Sequence, residues 1–432
     1  MTFLRSVLSF ALCAAALAPV LAHAASPDDA AARLERARKL LREVPLVDGH
    51  NDLPWQVRER EGNRLSQLDL MADGRKLTPP LHTDLPRLRE GGVGGVFWSV
   101  YVPADLPGSD AVLATLDQMD VVHRLVERYP KQLSLALTAA DVERAHHEGK
   151  VASLIGMEGG HSIGGSVGAL RQLYRAGARY MTLTHSKNVG WAESATDAPQ
   201  AEPLTEQGRL VVREMNRLGM LVDLSHVSAR VMHKVLDVAQ APVIFSHSAT
   251  FALTPHPRNV PDDVLERLPQ NGGVVMVAFV PDFVSDAVRL HNAEVAASAE
   301  RFKALNTGNP DAGKAAFEAW LKAHPYPAAT LAQVADHIDH VRKLAGIDHV
   351  GLGSDFDGIT RTVEGLGGVE AYPALMAELL RRGYSDEDVR KVAGKNLLRV
   401  MRQVEATAQR LQKAGPAEDP LPGSIKVEKE GH

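Results

Sequence analysis

The segment VPLVDGHNDLPW, residues 44–55, ends an apolar run in His50, Asn51 and Asp52. Five further apolar runs end in an ionisable side chain: KVASLIGMEG in Glu158, ARYMTLTHS in His185, GMLVDLSH in His226, PVIFSHS in His247 and HVGLGSD in Asp355. One imidazole at the end of a buried run is ordinarily a hydrogen-bonded core residue. A gathering of imidazoles and carboxylates is different, because removing that much negative charge from water is unfavourable unless cations neutralise it. His50, Asp52, Glu158, His226 and His247 are five groups of mixed nitrogen and oxygen character. They are too many for one open tetrahedral site and suit two divalent ions that share a carboxylate, for which Glu158 has two oxygens to divide. Two such ions ~3.5–4 Å apart can hold and deprotonate a water between them, so hydrolysis by a hydroxide formed at neutral pH is the expected chemistry.

The His-x-Asp spacing carries little by itself, since it occurs at His50–Asp52, His82–Asp84 and His337–Asp339. The latter two lie in PPLHTDLPRL and ADHIDHVRK and are expected on solvated polar faces. The first stands at the end of a strand-like run, where residues two apart point to one face and can reach one ion together.

For these groups to meet, the runs that carry them must be strands ending at a common face. Eight runs are β-rich: 44–50, 91–102, 150–159, 178–186, 219–226, 242–248, 272–280 and 349–355. Helical patterns separate them, among them 110–129, 204–219 and 228–240, the last opening on a Ser228 cap. Near-continuous apolar strands alternating with helices predict a parallel sheet covered on both faces. Eight such units predict an α/β fold of the (β/α)8 TIM-barrel type, whose C-terminal strand ends carry active sites. Six of the eight strands end there in an ionisable residue; strands two and seven end in apolar or aromatic ones. An open doubly wound sheet is the competing architecture, but no Gly-x-Gly-x-x-Gly turn follows the first strand. Residues 285–330 are mostly helical and read as an insertion between strands seven and eight.

Lys and Arg number 48 against 53 Asp and Glu, which leaves no basic footprint for nucleic acid. Residues 1–24 read as a signal peptide: Arg5, an apolar stretch, then Ala22-His23-Ala24 before the cut. The stretch is shorter than the ~20 residues of a membrane span, so an exported protein, periplasmic or secreted, is expected. The single cysteine, Cys13, lies inside that segment, so the mature chain must hold any metal by His, Asp and Glu. Residues 25–413 read as one catalytic domain and the Pro/Gly-rich 414–432 as a disordered tail. That tail ends in charges, not in the hydrophobic signal of a lipid anchor, so no stable membrane attachment is expected after cleavage.

VDGHNDLPW, GGVGGVFWSVYVP, GMEGG, TLTHS, LVDLSHVS, APVIFSHS, RNVPDDVL and GLGSDFDG occur in that order between about residues 44 and 400. Together they resemble the renal (membrane) dipeptidase family of zinc metallopeptidases, within the amidohydrolase-like barrels. The resemblance implies a dipeptide-hydrolysing enzyme with two Zn2+. One is held by His50, Asp52 and Glu158 and the other by Glu158, His226 and His247, with a hydroxide between them. It implies further that His185 contacts substrate near the developing oxyanion, that Arg258 in PHPRNV binds the substrate carboxylate, and that Asp355 contacts substrate and handles protons. The residue chemistry agrees with each role. Asp357 rivals Asp355, which is favoured because it sits where the strand ends. Tolerance of a D-residue at the C-terminal position, possible action on β-lactams and a homodimer are family-level expectations. Mammalian members carry disulfides and a lipid anchor, which a chain without mature cysteine and with a polar tail does not reproduce. The competing readings are a lactonase, β-lactam hydrolase or N-acyl amino acid deacylase using the same site, and a noncatalytic exported binding protein that keeps the barrel without the ions.

Overall fold

The computed structural model describes residues 27–418; the expected signal segment and residues 419–432 lie outside them. The strands are β1 (Leu46–Asn51), β2 (Val93–Tyr101), β3 (Leu133–Leu135), β4 (Val151–Glu158), β5 (Ala178–Thr182), β6 (Leu221–Asp223), β7 (Ile244–Ser248), β8 (Val274–Val277) and β9 (Val350–Leu352). All pair in parallel, in the order β2-β1-β9-β8-β7-β6-β5-β4, and β2 pairs with β4 to close an eight-stranded barrel. The expected (β/α)8 fold is present, with one strand more than expected. β3 lies beside the start of β4, where Ser153 is registered with Val96 on one side and Leu135 on the other. Three residues of alternation are too short a signal to stand out between helical patterns.

The period of two along the strands decides what enters the barrel. In β2, Phe97 joins the interior cluster that includes Leu154, Tyr180, Ile244 and Met276, while Val96, Trp98 and Val100 pack with the helix layer. Tyr101 ends this strand in register with Glu158. The C-terminal helix Asn396–Ala414 brings Leu397, Val400 and Met401 into the interior cluster. Its Asn396 donates to the carbonyls of Ile347 and Val350, so it closes the end of the barrel where β9 begins. The helices Gly108–Arg128, Glu206–Leu218 and Ala229–Val238 lie within two residues of their expected spans. Ser228 caps the last by accepting from the amide of Val231.

The insertion between the seventh and eighth barrel strands, β8 and β9, forms the helices Asp286–Leu305 and Pro310–Ala323. A cleft of about 610 Å³ separates it from the barrel mouth, lined among others by Asp282, His291, Tyr326 and Gly358.

In the two remaining His-x-Asp pairs, His337 and Asp84 correct the expectation of solvated faces, while the Asp339 side chain is 42% exposed. His337 is 1% exposed, on the side of the helix Leu331–Ala345 that carries Val334, Ile338 and Val341 inward. Its Nδ1 accepts from the Thr250 amide at 3.0 Å. Asp84 is also buried, accepting from the Arg87 amide and pairing with the Arg87 guanidinium at 2.6 Å. A polar residue on an amphipathic helix is easily assigned to the wrong face when a specific hydrogen-bond partner compensates its burial.

Candidate metal centre

Glu158 is the last residue of β4, and its carboxylate is where the expected groups converge. Its Oε1 lies 3.0 Å from His226 Nε2, 3.5 Å from His247 Nε2, 3.6 Å from His50 Nε2 and 3.8 Å from His185 Nε2. His50 Nε2 is 3.2 Å from Asp52 Oδ2 and 4.0 Å from Asp355 Oδ1. Among the described residues, three overlapping groups have candidate ligand atoms within 4.8 Å of one another: His50, Glu158 and His247; Glu158, His185 and His226; and His50, Asp52 and Asp355. His185 is thus as near to Glu158 as the expected metal ligands are, although the sequence pointed to it only as a substrate contact.

The strands are shorter than expected, so several of these residues sit just past them. Asp52 follows β1, His185 and His226 lie three residues beyond β5 and β6, and Asp355 lies three beyond β9. His226 and Asp355 adopt left-handed backbone, φ 69° and 64°, as does Asp357. Such conformations cost non-glycine residues of order 1–3 kcal/mol and concentrate at functional sites. Asp357 does not join the centre. Its Oδ1 accepts from the His82 amide at 2.7 Å and its own amide donates to His82 Nδ1 at 2.9 Å, which ties it to another loop.

The centre calls for positive charge. Burial, with the neighbouring Asp52 carboxylate, pushes Glu158 up to about 7. Burial and the carboxylates of Asp52 and Glu158 hold Asp355 well above the usual range. Burial keeps His226 and His247 far below the ordinary imidazole value, and burial beside Arg258 takes His185 down to about 3, so these rings are neutral lone-pair donors. His50 goes the other way: burial opposes its charge, but Asp52 and Glu158 prevail and raise it to about 10. The buried His50 Nε2 and His226 Nδ1 have no hydrogen-bond partner. His185, His226 and His247 thus present unprotonated ring nitrogens to the Glu158 carboxylate, with Asp52 and Asp355 beside it, a donor set of neutral imidazoles and carboxylates that fits divalent cations.

Supporting groups without a signal in the sequence surround these side chains. Ser99 Oγ donates to Glu158 Oε2 at 3.2 Å, Tyr180 OH meets His50 Nδ1 at 2.8 Å, and Ser246 Oγ meets His247 Nδ1 at 2.8 Å. Tyr180 reaches His50 by crossing Gly156, where a Cβ would collide with its ring. The ring of Tyr101 lies 4.9 Å from that of His185 at the open side. An aromatic at the end of β2 was visible in the sequence, but without an ionisable group it gave no signal of its own. Arg258 is 4% exposed, its Nη1 has no partner, and its Cζ lies 5.2 Å from the Phe283 ring centroid.

Gly358 closes the centre from the loop after β9. A Cβ there would collide with Asp52 Oδ2 and Asp355 Oδ1. Gly358→Ala is expected to leave the fold intact, because the position is exposed. It should lower kcat/KM by ~10- to 100-fold, the range for disturbing groups that hold metal ligands. Steady-state kinetics beside a melting curve check this, and wild-type kinetics would show that the two carboxylates need no fixed position.

Residues 34–415 match the family model described as membrane dipeptidase (peptidase family M19). The chain is 40% identical over 408 residues to dipeptidase verJ of Clonostachys rogersoniana, covering 92% of this chain and 93% of that relative. Among solved structures it is similar to the probable dipeptidase PvdM from Pseudomonas aeruginosa, with a TM-score of 0.76 at 25% identity over 88% of this chain and 100% of that one. It is also similar to a metallo peptidase from Rhodobacter sphaeroides liganded with a phosphinate mimic of the dipeptide L-Ala-D-Ala. There the TM-score is 0.68 at 26% identity, over 84% of this chain and 99% of that one.

Proposed function

Because the chain belongs to the membrane dipeptidase family, peptidase family M19, and is a metallo-dipeptidase, we propose that it is a binuclear zinc enzyme that accepts a D-residue at the C-terminal position of its dipeptides. The observation that carries the reading is Glu158 Oε1, on which the Nε2 atoms of four imidazoles converge between 3.0 and 3.8 Å. A carboxylate so placed suits sharing between two cations, with His50 and Asp52 toward one and His226 and His247 toward the other. Acceptance of a D-residue is supported by the ligand of the Rhodobacter sphaeroides relative.

When bound, the zinc ions supply Lewis acidity at the scissile carbonyl and make hydroxide available at neutral pH. The chain's own groups do the remaining work. Arg258, a buried guanidinium with an unpartnered Nη1, binds the terminal carboxylate of the substrate with its planar fork. That charge lies one residue from the scissile bond in a dipeptide, so short substrates are favoured. His185, neutral at physiological pH, directs a ring N–H at the carbonyl oxygen as negative charge develops there. Asp355, whose proton affinity is raised by burial, takes a proton from the attacking water and passes it to the departing amine. Export after cleavage at Ala24 belongs to the same reading, supported by the charged, apolar and small-residue order of residues 1–24.

Metal analysis and a substrate panel on one sample test the proposal. About two equivalents of zinc are expected, the number a two-ion site requires, with turnover of both L-L and L-D dipeptides. A single equivalent would remove the binuclear assignment. Turnover of lactones or N-acyl amino acids with dipeptides inert would replace the substrate.

A further inference from the structure

Two strand seams of the barrel are looser than the others. Within the named strands, β1 and β9 are registered by one pair, Asp48↔Leu352, and β6 and β7 by one pair, Asp223↔Ile244. Every other seam has three or more. Outside the strands, the first seam gains an isolated bridge, Asn51↔Phe356.

A buried aspartate spans each loose seam, and the two make matching sets of hydrogen bonds. Asp48 Oδ1 accepts from the amides of His50 (3.2 Å) and Ser354 (2.8 Å), and its Oδ2 from Ser354 Oγ (2.6 Å) and Tyr372 OH (2.6 Å). Asp223 Oδ1 accepts from the amides of Ser225 (3.0 Å) and Ser246 (2.9 Å), and its Oδ2 from Ser246 Oγ (2.6 Å) and Thr182 Oγ1 (2.7 Å). In both, the carboxylate binds the amide two residues on, then the amide and hydroxyl of one serine across the seam, then one further hydroxyl. The centre follows directly along the chain: His50 two residues after Asp48, Asp355 next to Ser354, His226 three after Asp223, and His247 next to Ser246. Apolar side chains would close these seams without the cost of burying a carboxylate, so what the aspartates add is a defined geometry.

Ser246 adds a second constraint. Its one hydroxyl proton goes to Asp223, so its 2.8 Å contact with His247 requires the ring to donate from Nδ1. That leaves the Nε2 lone pair facing Glu158, the tautomer a metal ligand needs.

We propose that Asp48–Ser354 and Asp223–Ser246 are two equivalent positioning clasps, each setting the separation of two centre residues, His50 with Asp355 and His226 with His247, so that each governs one half of the centre. The division into halves rests on the two-metal reading; the clasps themselves do not. Zinc titration of the metal-free full-length protein against a chromogenic chelator, with long-range 1H–15N spectra of its histidine rings, tests both.

Ser246→Ala is expected to weaken one zinc equivalent by ~10- to 100-fold, the effect of losing an outer-shell partner, and to release His247 from its Nδ1–H tautomer. The His50 ring signals stay in place. Ser354→Ala weakens the other equivalent, and the double variant loses both. One tight equivalent surviving in the double variant, or both weakened equally by either single change, would overturn the proposal. Thr182→Ala removes a donor from Asp223 without touching His247, so it lowers the melting temperature but keeps the tautomer and both equivalents. An effect on zinc equal to that of Ser246→Ala would reduce the clasp to general stability. Wild-type protein without tight zinc would refute the metal reading alone. The clasp then stands or falls on whether Ser246→Ala changes the His247 tautomer.

Discussion

Replacing Glu158 by glutamine is expected to leave the protein folded and nearly inactive. The change keeps the shape of the side chain and removes the one carboxylate that faces His50, His185, His226 and His247 together. A neutral amide is a poor ligand for cations held among imidazoles, so zinc content should fall below one equivalent. Losing the several kcal/mol that metal ions contribute to charge stabilisation in the transition state corresponds to a drop in kcat/KM of at least ~10³-fold. The stability change should run opposite to the activity change. Burial raises the proton affinity of Glu158, so its ionised form costs the metal-free fold stability, increasingly as pH rises from its ordinary value of 4.5 toward about 7. The metal-free glutamine variant therefore melts at or above the temperature of the metal-free wild type at neutral pH. Differential scanning calorimetry with metal analysis measures both; full zinc occupancy in the variant would remove Glu158 from the centre.

Arg258→Ala is expected to act on substrate binding and to spare the metals. Its guanidinium is buried without a partner for Nη1, and although burial lowers its pKa to about 10 it remains a cation at neutral pH, with one face of the fork free for an arriving carboxylate. Truncating one partner of a buried, hydrogen-bonded charge pair costs about 2–5 kcal/mol, or ~30- to 4,000-fold, and here the loss should appear chiefly in KM for dipeptides. Zinc occupancy should hold or tighten, since the variant removes a positive charge that acts on Glu158 and Asp355. The decisive comparison is between a dipeptide and its C-terminal amide. Wild type strongly prefers the free acid, and the variant should treat the two alike. A preference that survives in Arg258→Ala would assign carboxylate recognition to another group.

The same residues show why some roles could be read in advance and others could not. His50, Glu158, His226, His247 and Asp355 each end an apolar run or lie just beyond it, and a barrel brings such ends to one face. Their meeting at one mouth of the barrel was therefore legible from order and spacing. Asp48 and Asp223 were equally visible as letters, but an aspartate inside an apolar run has no reading until its donors are known. Those donors, Ser354 and Tyr372 for Asp48 and Ser246 and Thr182 for Asp223, come from between 23 and 324 residues away. His337 shows the same limit, since the amide that compensates its burial belongs to Thr250.

Local pattern determined the alternation of strands and helices, the helical insertion, and the ionisable groups at the strand ends, because periodicity and residue type act over a few neighbours. Tertiary structure alone decided that His337 and Asp84 are buried, that His185 stands as near Glu158 as the other rings do, and that β3 joins the sheet. Each of these depends on backbone turns and partners distant in sequence. A left-handed φ at Asp355 or a hydroxyl delivered by another strand leaves no periodic trace in the chain.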